Sequence, residues 1–267
     1  MQNRMEEKLK AFQRLLDIMD ELRIKCPWDK KQTFESLRAN TIEEAYELCD
    51  AIMKKDMKEI RKELGDVLLH IVFYAKIASE TDDFDIADVC NSLCDKLIFR
   101  NPHVFGEAQA ETAGQVEQTW EQIKRKEKDG NKTVLSGVPD ALPALIKAYR
   151  IQDKARNVGF DWKEKEEVWN KVQEEFNELQ VEIRNMEQEK MEEEFGDLMF
   201  SMINAARLYK INPENALEKC NQKFIRRFNH VEERAKTEGK ELKDLTLQEM
   251  DEYWNEAKQI ERGQKQL

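Results

Sequence analysis

At 267 residues the chain is long enough for one large domain or two modest ones, and two is the better opening hypothesis. Nine glycines and five prolines against 37% charged residues are too few turn formers for a many-stranded sheet protein, so helices should dominate. The net charge of −11 argues against a protein that coats nucleic acid, because neutralising phosphates needs clustered Lys and Arg.

The start of the chain and its apolar stretches give no sign of secretion or membrane insertion. Residues 1–12 lack the apolar core of a secretion signal. The longest apolar stretch, residues 67–75, contains His70 and is far shorter than the ~20 residues that span a bilayer. Five cysteines without a CxxC spacing are typical of reduced thiols in the cytosol. We therefore expect a cytoplasmic protein with no membrane partner.

Helical periodicity appears early and late in the chain. Apolar side chains recur every three or four positions in residues 42–53 and again in residues 195–208, which predicts a helix in each. Thr41 and Glu44 have the spacing of a capping box, which would start the first helix at Thr41. No segment of strand length shows an alternating pattern, so an all-α fold is predicted.

A linker divides the chain near its middle. Residues 129–143 contain two glycines and two prolines, which break any continuous helix. We place the domain boundary near residue 135. The predicted architecture is two tandem helical-bundle domains, residues 1–134 and 135–267.

The dominant feature of the sequence is a duplication. An EExxE motif at residues 43–47 is followed by ExxD at 63–66, and the same pair recurs at 174–178 and 194–197. In both copies 19 residues separate the second glutamate of EExxE from the glutamate of ExxD. Two tryptophans 92 residues apart also bracket each copy, namely Trp28 with Trp120 and Trp162 with Trp254.

Acidic side chains at this spacing can form a metal site. On a helix, residues three or four apart share a face, so Glu175 lies beside Glu178 and Glu194 beside Asp197. If the two helices pack antiparallel, four carboxylates converge, and their mutual repulsion calls for a cation. Carboxylate-rich ligation suits Mg²⁺, with Mn²⁺ as an alternative ion. The corresponding acids of the first half are Glu44, Glu47, Glu63 and Asp66.

A solvated acidic surface is the competing interpretation in a chain with 55 acidic residues. Repetition at a fixed separation favours metal binding, and nearby lysines strengthen the case. Lys171 and Lys190 each precede a proposed ligand by four residues, where they can meet phosphate oxygens or form ordinary surface ion pairs. Asn40 and Glu59 hold the corresponding positions of the first half, so the second half is expected to be the better catalyst.

Basic and aromatic residues near the end of the chain suggest polyphosphate binding. Lys223 and Arg227 lie one helical turn apart, and a lysine with a forked arginine can capture a polyphosphate. A nucleic-acid strip is conceivable there, but the segment is short and isolated, and no stable nucleic-acid binding is expected. Trp254 is either a core residue or stacks on a base. Each half closes with Trp-x-x-x-Lys, at Trp120 and at Trp254.

These motifs together resemble the MazG family of nucleoside triphosphate pyrophosphohydrolases over nearly the whole chain. Besides the acidic pairs, the resemblance is carried by Cys26-Pro-Trp-Asp29, Arg100-Asn-Pro-His-Val-Phe105, Ser136-Gly-Val-Pro139, Ala141-Leu-Pro-Ala-Leu145, Gly159-Phe-Asp-Trp162 and the closing tryptophans. The resemblance implies a homodimeric tandem-domain enzyme. It would use Mg²⁺ to split the α–β phosphoanhydride of ribo- and deoxyribonucleoside triphosphates. This activity would serve nucleotide-pool housekeeping.

Residue roles follow from the resemblance position by position. The implied metal ligands are Glu175, Glu178, Glu194 and Asp197, and the implied nucleotide contacts are Lys171, Lys190, Lys223, Arg227 and Trp254. Because Asn40 and Glu59 depart from the pattern, the first half is left with a second, weaker metal site at Glu44, Glu47, Glu63 and Asp66.

The expected mechanism is hydrolysis in line with a departing pyrophosphate. Lys190 and Arg227 would offset charge on that leaving group. Glu174 is a candidate for orienting or deprotonating the attacking water, although it is turned about 100° from Glu175 on a helix. A homodimer is also expected because the apolar stretch 67–74 would be better buried against another subunit.

Three other hypotheses remain open from the sequence. The chain could be a non-catalytic helical scaffold whose acidic faces bind a basic partner. It could be a nucleotide sensor that binds without turnover. It could also keep the fold but act on a narrower substrate, such as dUTP or phosphoribosyl-ATP.

Overall fold

The computed structural model describes residues 2–108, 112, 114–116, 123 and 133–264. Within these ranges the regular structure is helical and no strand occurs, which confirms the predicted all-α fold. The chain divides into two compact units, residues 1–124 and 125–267. Most of the stretch just before the predicted boundary at 134/135, including Trp120 and Lys124, lies outside the described residues. The exact boundary stays a prediction.

Among its described residues the first unit has four long α-helices and one short one, with a 3-10 turn at Asp29–Lys31. They are α1 (Gln2–Lys25), α2 (Phe34–Lys54), α3 (Met57–Ser79), α4 (Ile86–Arg100) and the short α5 (Pro102–Phe105). Helix α1 packs on α3, and the buried core between the helices contains Met19, Leu37, Val72 and Phe73.

Helix α2 starts earlier than the sequence pattern indicated. The Thr33 side chain accepts a hydrogen bond from the backbone N–H of Ser36, and the Ser36 hydroxyl accepts one from the N–H of Thr33. This capping box begins the helix at Phe34, so the prediction of a cap at Thr41 is wrong. Thr41 lies inside α2, where its hydroxyl donates to the carbonyl of Leu37 at 2.9 Å.

The second unit repeats the arrangement. Its helices are α6 (Ala144–Arg156), α7 (Val168–Asn185), α8 (Gln188–Leu208), α9 (Pro213–Thr237) and α10 (Leu247–Gln264). Helix α6 packs on α8, as α1 does on α3. A second core cluster lies between α9 and α10 and contains Val231, Ala235, Leu245 and Tyr253.

One tight turn in each unit folds two helices into a hairpin. Lys55 joins α2 to α3 and Met186 joins α7 to α8, both with a φ of 57°, in the left-handed region that ends many helices. The two turn residues are 131 positions apart, the same offset that relates the acidic motifs. The turn therefore fixes the same register in both hairpins and sets EExxE opposite ExxD.

The apolar stretch predicted to lie on the surface is only partly exposed. Val72 and Phe73 are in the core, whereas Leu68, Leu69 and Ile71 are 36%, 36% and 43% exposed. Among the residues described, no helix is both long and apolar enough to cross a bilayer.

Candidate active site

Three of the four predicted acids of the second unit converge across the α7/α8 hairpin. Glu175 on α7 and Glu194 and Asp197 on α8 each place a carboxylate oxygen within 4.8 Å of the other two. Glu175 is buried, and Asp197 is open to solvent. Glu178 is outside this group of three, but it lies close enough for its charge to act on Glu194.

The electrostatics of this cluster fit a divalent cation. Burial raises the pKa of Glu194 above its ordinary value, and the charges of Glu178, Asp197 and Glu175 raise it further. Oε2 of Glu194 is buried and accepts no hydrogen bond from any described residue. A carboxylate with neighbouring like charges and no donor is stabilised by a cation, and this all-oxygen set matches the ligands that Mg²⁺ and Mn²⁺ prefer.

Lys171 is the basic residue that the structure brings into the cluster. Its Nζ lies 2.8 Å from Oε1 of Glu174 and 2.7 Å from Oε1 of Glu175. These hydrogen bonds, that to Glu174 first, raise the pKa of Lys171. Glu174 is exposed beside the cluster. Lys171 therefore contacts both Glu174, the candidate for orienting the water, and Glu175, a candidate metal ligand.

Lys190 does not reach the acids in this conformation. It lies in the first turn of α8, where its Nζ pairs with Glu187 at 2.8 Å. This hydrogen bond is also the main cause of the raised pKa of Lys190. The side chain is exposed, so it has room to change partners.

The remaining predicted nucleotide contacts form a separate cluster on α9 and α10. Arg227 donates to Glu261 through Nε at 3.0 Å and Nη2 at 2.7 Å, which lowers the pKa of Glu261. The Arg227 guanidinium lies 5.6 Å from the ring centroid of Trp254. The ring centroids of Phe224 and Trp254 are 5.0 Å apart, and the two rings are tilted relative to each other. Lys223 is exposed one turn before Arg227.

A cavity of about 670 Å³ adjoins the acidic cluster of the second unit. Lys171, Glu175 and Asp197 of the acidic hairpin line it. The rest of the lining comes from Leu135, α6, the segment after it and the second half of α8, and includes Ile151, Gln152, Ala155, Phe160, Asp161, Trp162, Phe200, Ser201, Asn204 and Arg207.

A buried ion pair holds the segment between α6 and α7 against α8. Arg207 donates through Nη1 to Oδ2 of Asp161 at 3.0 Å and through Nη2 to Oδ1 of Asn204 at 2.8 Å. Arg207 is only 6% exposed, so this pairing is worth more than a surface contact and costly to break. Gly159 supplies the turn before it with a φ of 88°, which favours glycine. The segment that carries Phe160 and Trp162 is therefore anchored to α8 at Asp161.

The first unit also brings three acids together. Glu44, Glu63 and Asp66 place carboxylate oxygens within 4.8 Å of one another. The pKa of Glu44 is raised by burial first and then by Asp66, Glu47 and Glu63. Oε1 of Glu63 pairs with Lys62 at 2.7 Å, and its buried Oε2 accepts no hydrogen bond from a described residue. Glu47 again lies near the group without joining it.

Beside the acids of the first unit, larger side chains occupy the interior. The Thr41 hydroxyl lies 2.9 Å from Nδ1 of His70 and 2.6 Å from the Tyr74 hydroxyl. The Tyr74 ring stacks on Phe34 at 5.5 Å. At the same offset of 131 residues the second unit has smaller or apolar side chains, namely Val172, Ser201 and Ala205.

Comparison with known proteins decides the family. A model described as the MazG nucleotide pyrophosphohydrolase domain matches residues 32–105 and 163–232, so each matched segment contains one acidic hairpin. The chain belongs to the MazG family. The nucleoside triphosphate pyrophosphohydrolase of Escherichia coli K12 is 43% identical over 260 residues, covering 95% of this chain and 99% of that one.

Two further MazG proteins come from Thermotoga maritima. The nucleoside triphosphate pyrophosphohydrolase/pyrophosphatase MazG of that organism is 44% identical over 257 residues, covering 95% of this chain and 98% of that one. The crystal structure of a mazG-related protein covers 42% of this chain and 98% of its own, with 27% identity and a TM-score of 0.38. The family match and the two full-length relatives confirm the resemblance predicted from the sequence motifs.

The MazG match does not include every residue at the site. Its second segment starts at residue 163, so Gln152, Phe160 and Trp162 lie outside it. Phe160 and Trp162 belong to the Gly159-Phe-Asp-Trp162 motif, but no ligand contact was predicted for them, nor for Gln152, Asn204 and Arg207. The sequence does contain a signal for the cavity. At positions 131 residues apart, the large His70 and Tyr74 of the first copy correspond to the small Ser201 and Ala205 of the second.

Proposed function

We propose that the second unit hydrolyses nucleoside triphosphates to nucleoside monophosphate and pyrophosphate, using Mg²⁺ bound by Glu175, Glu194 and Asp197 with Glu178 as a fourth ligand. One observation carries the proposal. Lys171 and two of the converging acids, Glu175 and Asp197, line a cavity large enough for a nucleoside, since ligand pockets measure roughly 300–1,000 Å³.

The protein groups supply charge and position. Bound Mg²⁺ lowers the pKa of a coordinated water and neutralises phosphate oxygens, and Mn²⁺ can do the same. Lys171 contacts Glu175, so ligation of Glu175 frees its ammonium for a phosphate oxygen. Glu174 is proposed to orient the water that attacks the α-phosphorus while the bond to pyrophosphate breaks.

The other cations are proposed to act on the pyrophosphate portion. Lys190 has to exchange Glu187 for the substrate, and Arg227 has to exchange Glu261, so both start from ion pairs that a polyphosphate can replace. Lys223 is exposed on the same helix as Arg227 and adds positive charge there. Trp254 contacts Arg227, so its proposed role is to position that guanidinium.

The first unit is proposed to hold a second, weaker metal site at Glu44, Glu63 and Asp66, with Glu47 nearby. Its weakness rests on the departures Asn40 and Glu59, which leave fewer cations for a polyphosphate. Metal binding there would stabilise the unit.

A homodimer and a cytoplasmic location complete the proposal. The surface of α8 exposes Phe195, Met199 and Met202 at 55%, 45% and 47%. Apolar side chains grouped on one helix face are better buried against a second copy. Size-exclusion chromatography with light scattering tests this proposal, which a monomer at micromolar concentration contradicts.

Product analysis tests the activity. The full chain is incubated with ribo- and deoxyribonucleoside triphosphates, dUTP and phosphoribosyl-ATP, in Mg²⁺, in Mn²⁺ and in a chelator. We expect monophosphate and pyrophosphate in equal amounts from the common triphosphates, and no products in the chelator. Binding without products supports a sensor, absence of binding supports a scaffold, and turnover of a single compound supports a narrower enzyme. Each of these results overturns the proposal.

A further inference from the structure

We infer that Gln152 recognises the nucleobase of the substrate, with Oε1 of its side chain accepting a hydrogen bond from a base N–H while Phe160, Trp162 and Phe200 form the walls around the base. This inference rests on the proposed function and adds the part of the site that binds the nucleoside. The observations that carry it are the burial of Gln152, its hydrogen bonding and the lining of the cavity.

The orientation of the Gln152 amide is fixed by its neighbour. Gln152 is 6% exposed on α6, and its Nε2 donates to the backbone carbonyl of Phe200 at 2.7 Å. A flipped amide would set Oε1 against that carbonyl, two acceptors facing each other, so Nε2 must be the atom at Phe200. Oε1 therefore remains, buried, without a donor among the described residues. A buried acceptor of this kind needs a partner, and Gln152 is one of the residues that line the cavity.

The surroundings of Gln152 suit a flat aromatic ligand. Ile151 and Ala155 on α6 give an apolar surface beside it, and Phe160 and Trp162 are 82% and 38% exposed where the segment after α6 borders the cavity. Aromatic side chains stack on the face of any base, because every base has a π surface. One buried acceptor among apolar and aromatic walls is the usual composition of a site for a small organic group.

The same cavity holds the groups proposed for the triphosphate. Lys171, Glu175 and Asp197 line it, and so does Gln152 on α6. A single nucleotide can therefore place its phosphates at the acids and its base at Gln152. Adenine and cytosine present an amino group, uracil and thymine an imino N–H, and guanine both. One acceptor can thus serve all the natural bases, which agrees with a broad substrate range.

The first unit supplies a contrast at the matching place. Its Ile18-Met19-Asp20 on α1 corresponds to Ile151-Gln152-Asp153 on α6, and both helices pack on the ExxD helix of their unit. Met19 is 1% exposed and packs in the core with Phe73. Where the first unit has a sealed apolar core, the second therefore has an amide-bearing residue that lines a cavity. A methionine fills the matching position of the first unit, so packing does not require an amide there. We take the amide of Gln152 as a sign of ligand binding.

Gln152→Met tests the inference by importing the first-unit residue. We expect the KM for each common triphosphate to rise about 10-fold with kcat nearly unchanged, because a contact made equally in the ground and transition states is lost. Inorganic tripolyphosphate, a competitor without a base, should keep its inhibition constant within about two-fold. Unchanged KM values, or equal weakening of triphosphate and tripolyphosphate, would overturn the inference, the second result because it indicates a structural role.

A substrate analogue tests the same contact without changing the fold. Purine riboside triphosphate lacks the 6-amino group of ATP and has no N–H donor on that edge. The wild-type chain should prefer ATP by about 10-fold in kcat/KM, and Gln152→Met should lose the preference. Equal kcat/KM values in the wild-type chain would overturn the role of Gln152 while leaving pyrophosphate release intact. Absence of monophosphate and pyrophosphate from every triphosphate would instead overturn the proposed function.

Discussion

The two acidic hairpins of this MazG protein have the same frame but different interiors. Each hairpin turns at a left-handed residue, and each brings three carboxylates within 4.8 Å. In the second unit a cavity of about 670 Å³ opens beside them. In the first unit the Thr41, His70 and Tyr74 side chains are hydrogen-bonded there. The cavity next to the first-unit acids is smaller, about 530 Å³, and its lining is mostly charged, including Glu47, Lys54, Glu59 and Glu63. Convergent acids are therefore shared by both units, and the neighbouring side chains decide whether the adjoining cavity is charged or largely apolar.

Burial also keeps the first-unit network uncharged. Desolvation lowers the pKa of His70, and the opposing effect of Asp66 is smaller. The Thr41 hydroxyl donates to the Leu37 carbonyl, so its oxygen is left to accept hydrogen bonds from the Tyr74 hydroxyl and from Nδ1–H of the neutral imidazole. A network satisfied by its own members has no need of a ligand. Six variants, used in four experiments, test this difference between the units.

Removing a metal ligand from each unit should give the largest difference. Glu194→Gln deletes a charge from the cluster beside the cavity, and we expect kcat to fall on the order of 10³-fold, since metal stabilisation of transition-state charge is worth several kcal/mol. Glu63→Gln makes the same change at the matching position of the first unit and should alter kcat by no more than about two-fold. Pyrophosphate release in saturating Mg²⁺ measures both.

Circular dichroism of both variants checks that the helices are intact. Near wild-type turnover by a folded Glu194→Gln protein contradicts the assignment of the metal site. A loss in Glu63→Gln as large as that in Glu194→Gln shows instead that the first unit also takes part in catalysis.

Importing a first-unit side chain into the cavity should give the next largest effect. Ser201→His places the bulk of His70 where the second unit has a small residue, and we expect KM for triphosphates to rise on the order of 10- to 100-fold. The acids are unchanged, so Mn²⁺ affinity measured by calorimetry should stay within about two-fold. An unchanged KM would show that the substrate does not bind in the cavity.

The reverse exchange should affect stability and leave activity intact. His70→Ser removes a buried ring and the partner of the Thr41 hydroxyl, which costs roughly 1–3 kcal/mol. Chemical denaturation, followed by circular dichroism, measures the loss. The same protein should hydrolyse triphosphates at the wild-type rate. Undiminished stability would mean that the network does not hold the first unit together.

The helices, the duplication and the pairing of acids could be predicted from the sequence because they depend on local periodicity and on a repeat. The cavity could not, because it depends on α6 meeting α8, with Gln152 and Phe200 48 residues apart. The partners of Lys190 and Arg227 were also out of reach, since long side chains choose among several nearby carboxylates, here Glu187 and Glu261. Thr41 was mistaken for a cap because Ser36 replaces the usual Glu or Gln of a capping box.

The smallest expected effect concerns matching helix caps near the end of each unit. Glu249 accepts hydrogen bonds at Oε2 from the Thr246 backbone N–H at 2.8 Å and hydroxyl at 2.9 Å. The Thr246 backbone contact, then Lys240, lowers the pKa of Glu249 to about 2. The first unit has the uncharged pair Thr112 and Gln115, in which Oε1 of Gln115 accepts from the Thr112 N–H at 3.2 Å.

Glu249→Gln should therefore lower the Tm at pH 7 by a few °C and remove a pH dependence. Because the folded pKa lies below the unfolded value of about 4.3, the charged cap stabilises the protein above that pH, and its contribution is lost as pH falls toward 2. The difference in Tm between wild type and variant should shrink over that range. Gln115→Glu should create a similar dependence in the first unit, and a difference that stays constant with pH would contradict the charged cap.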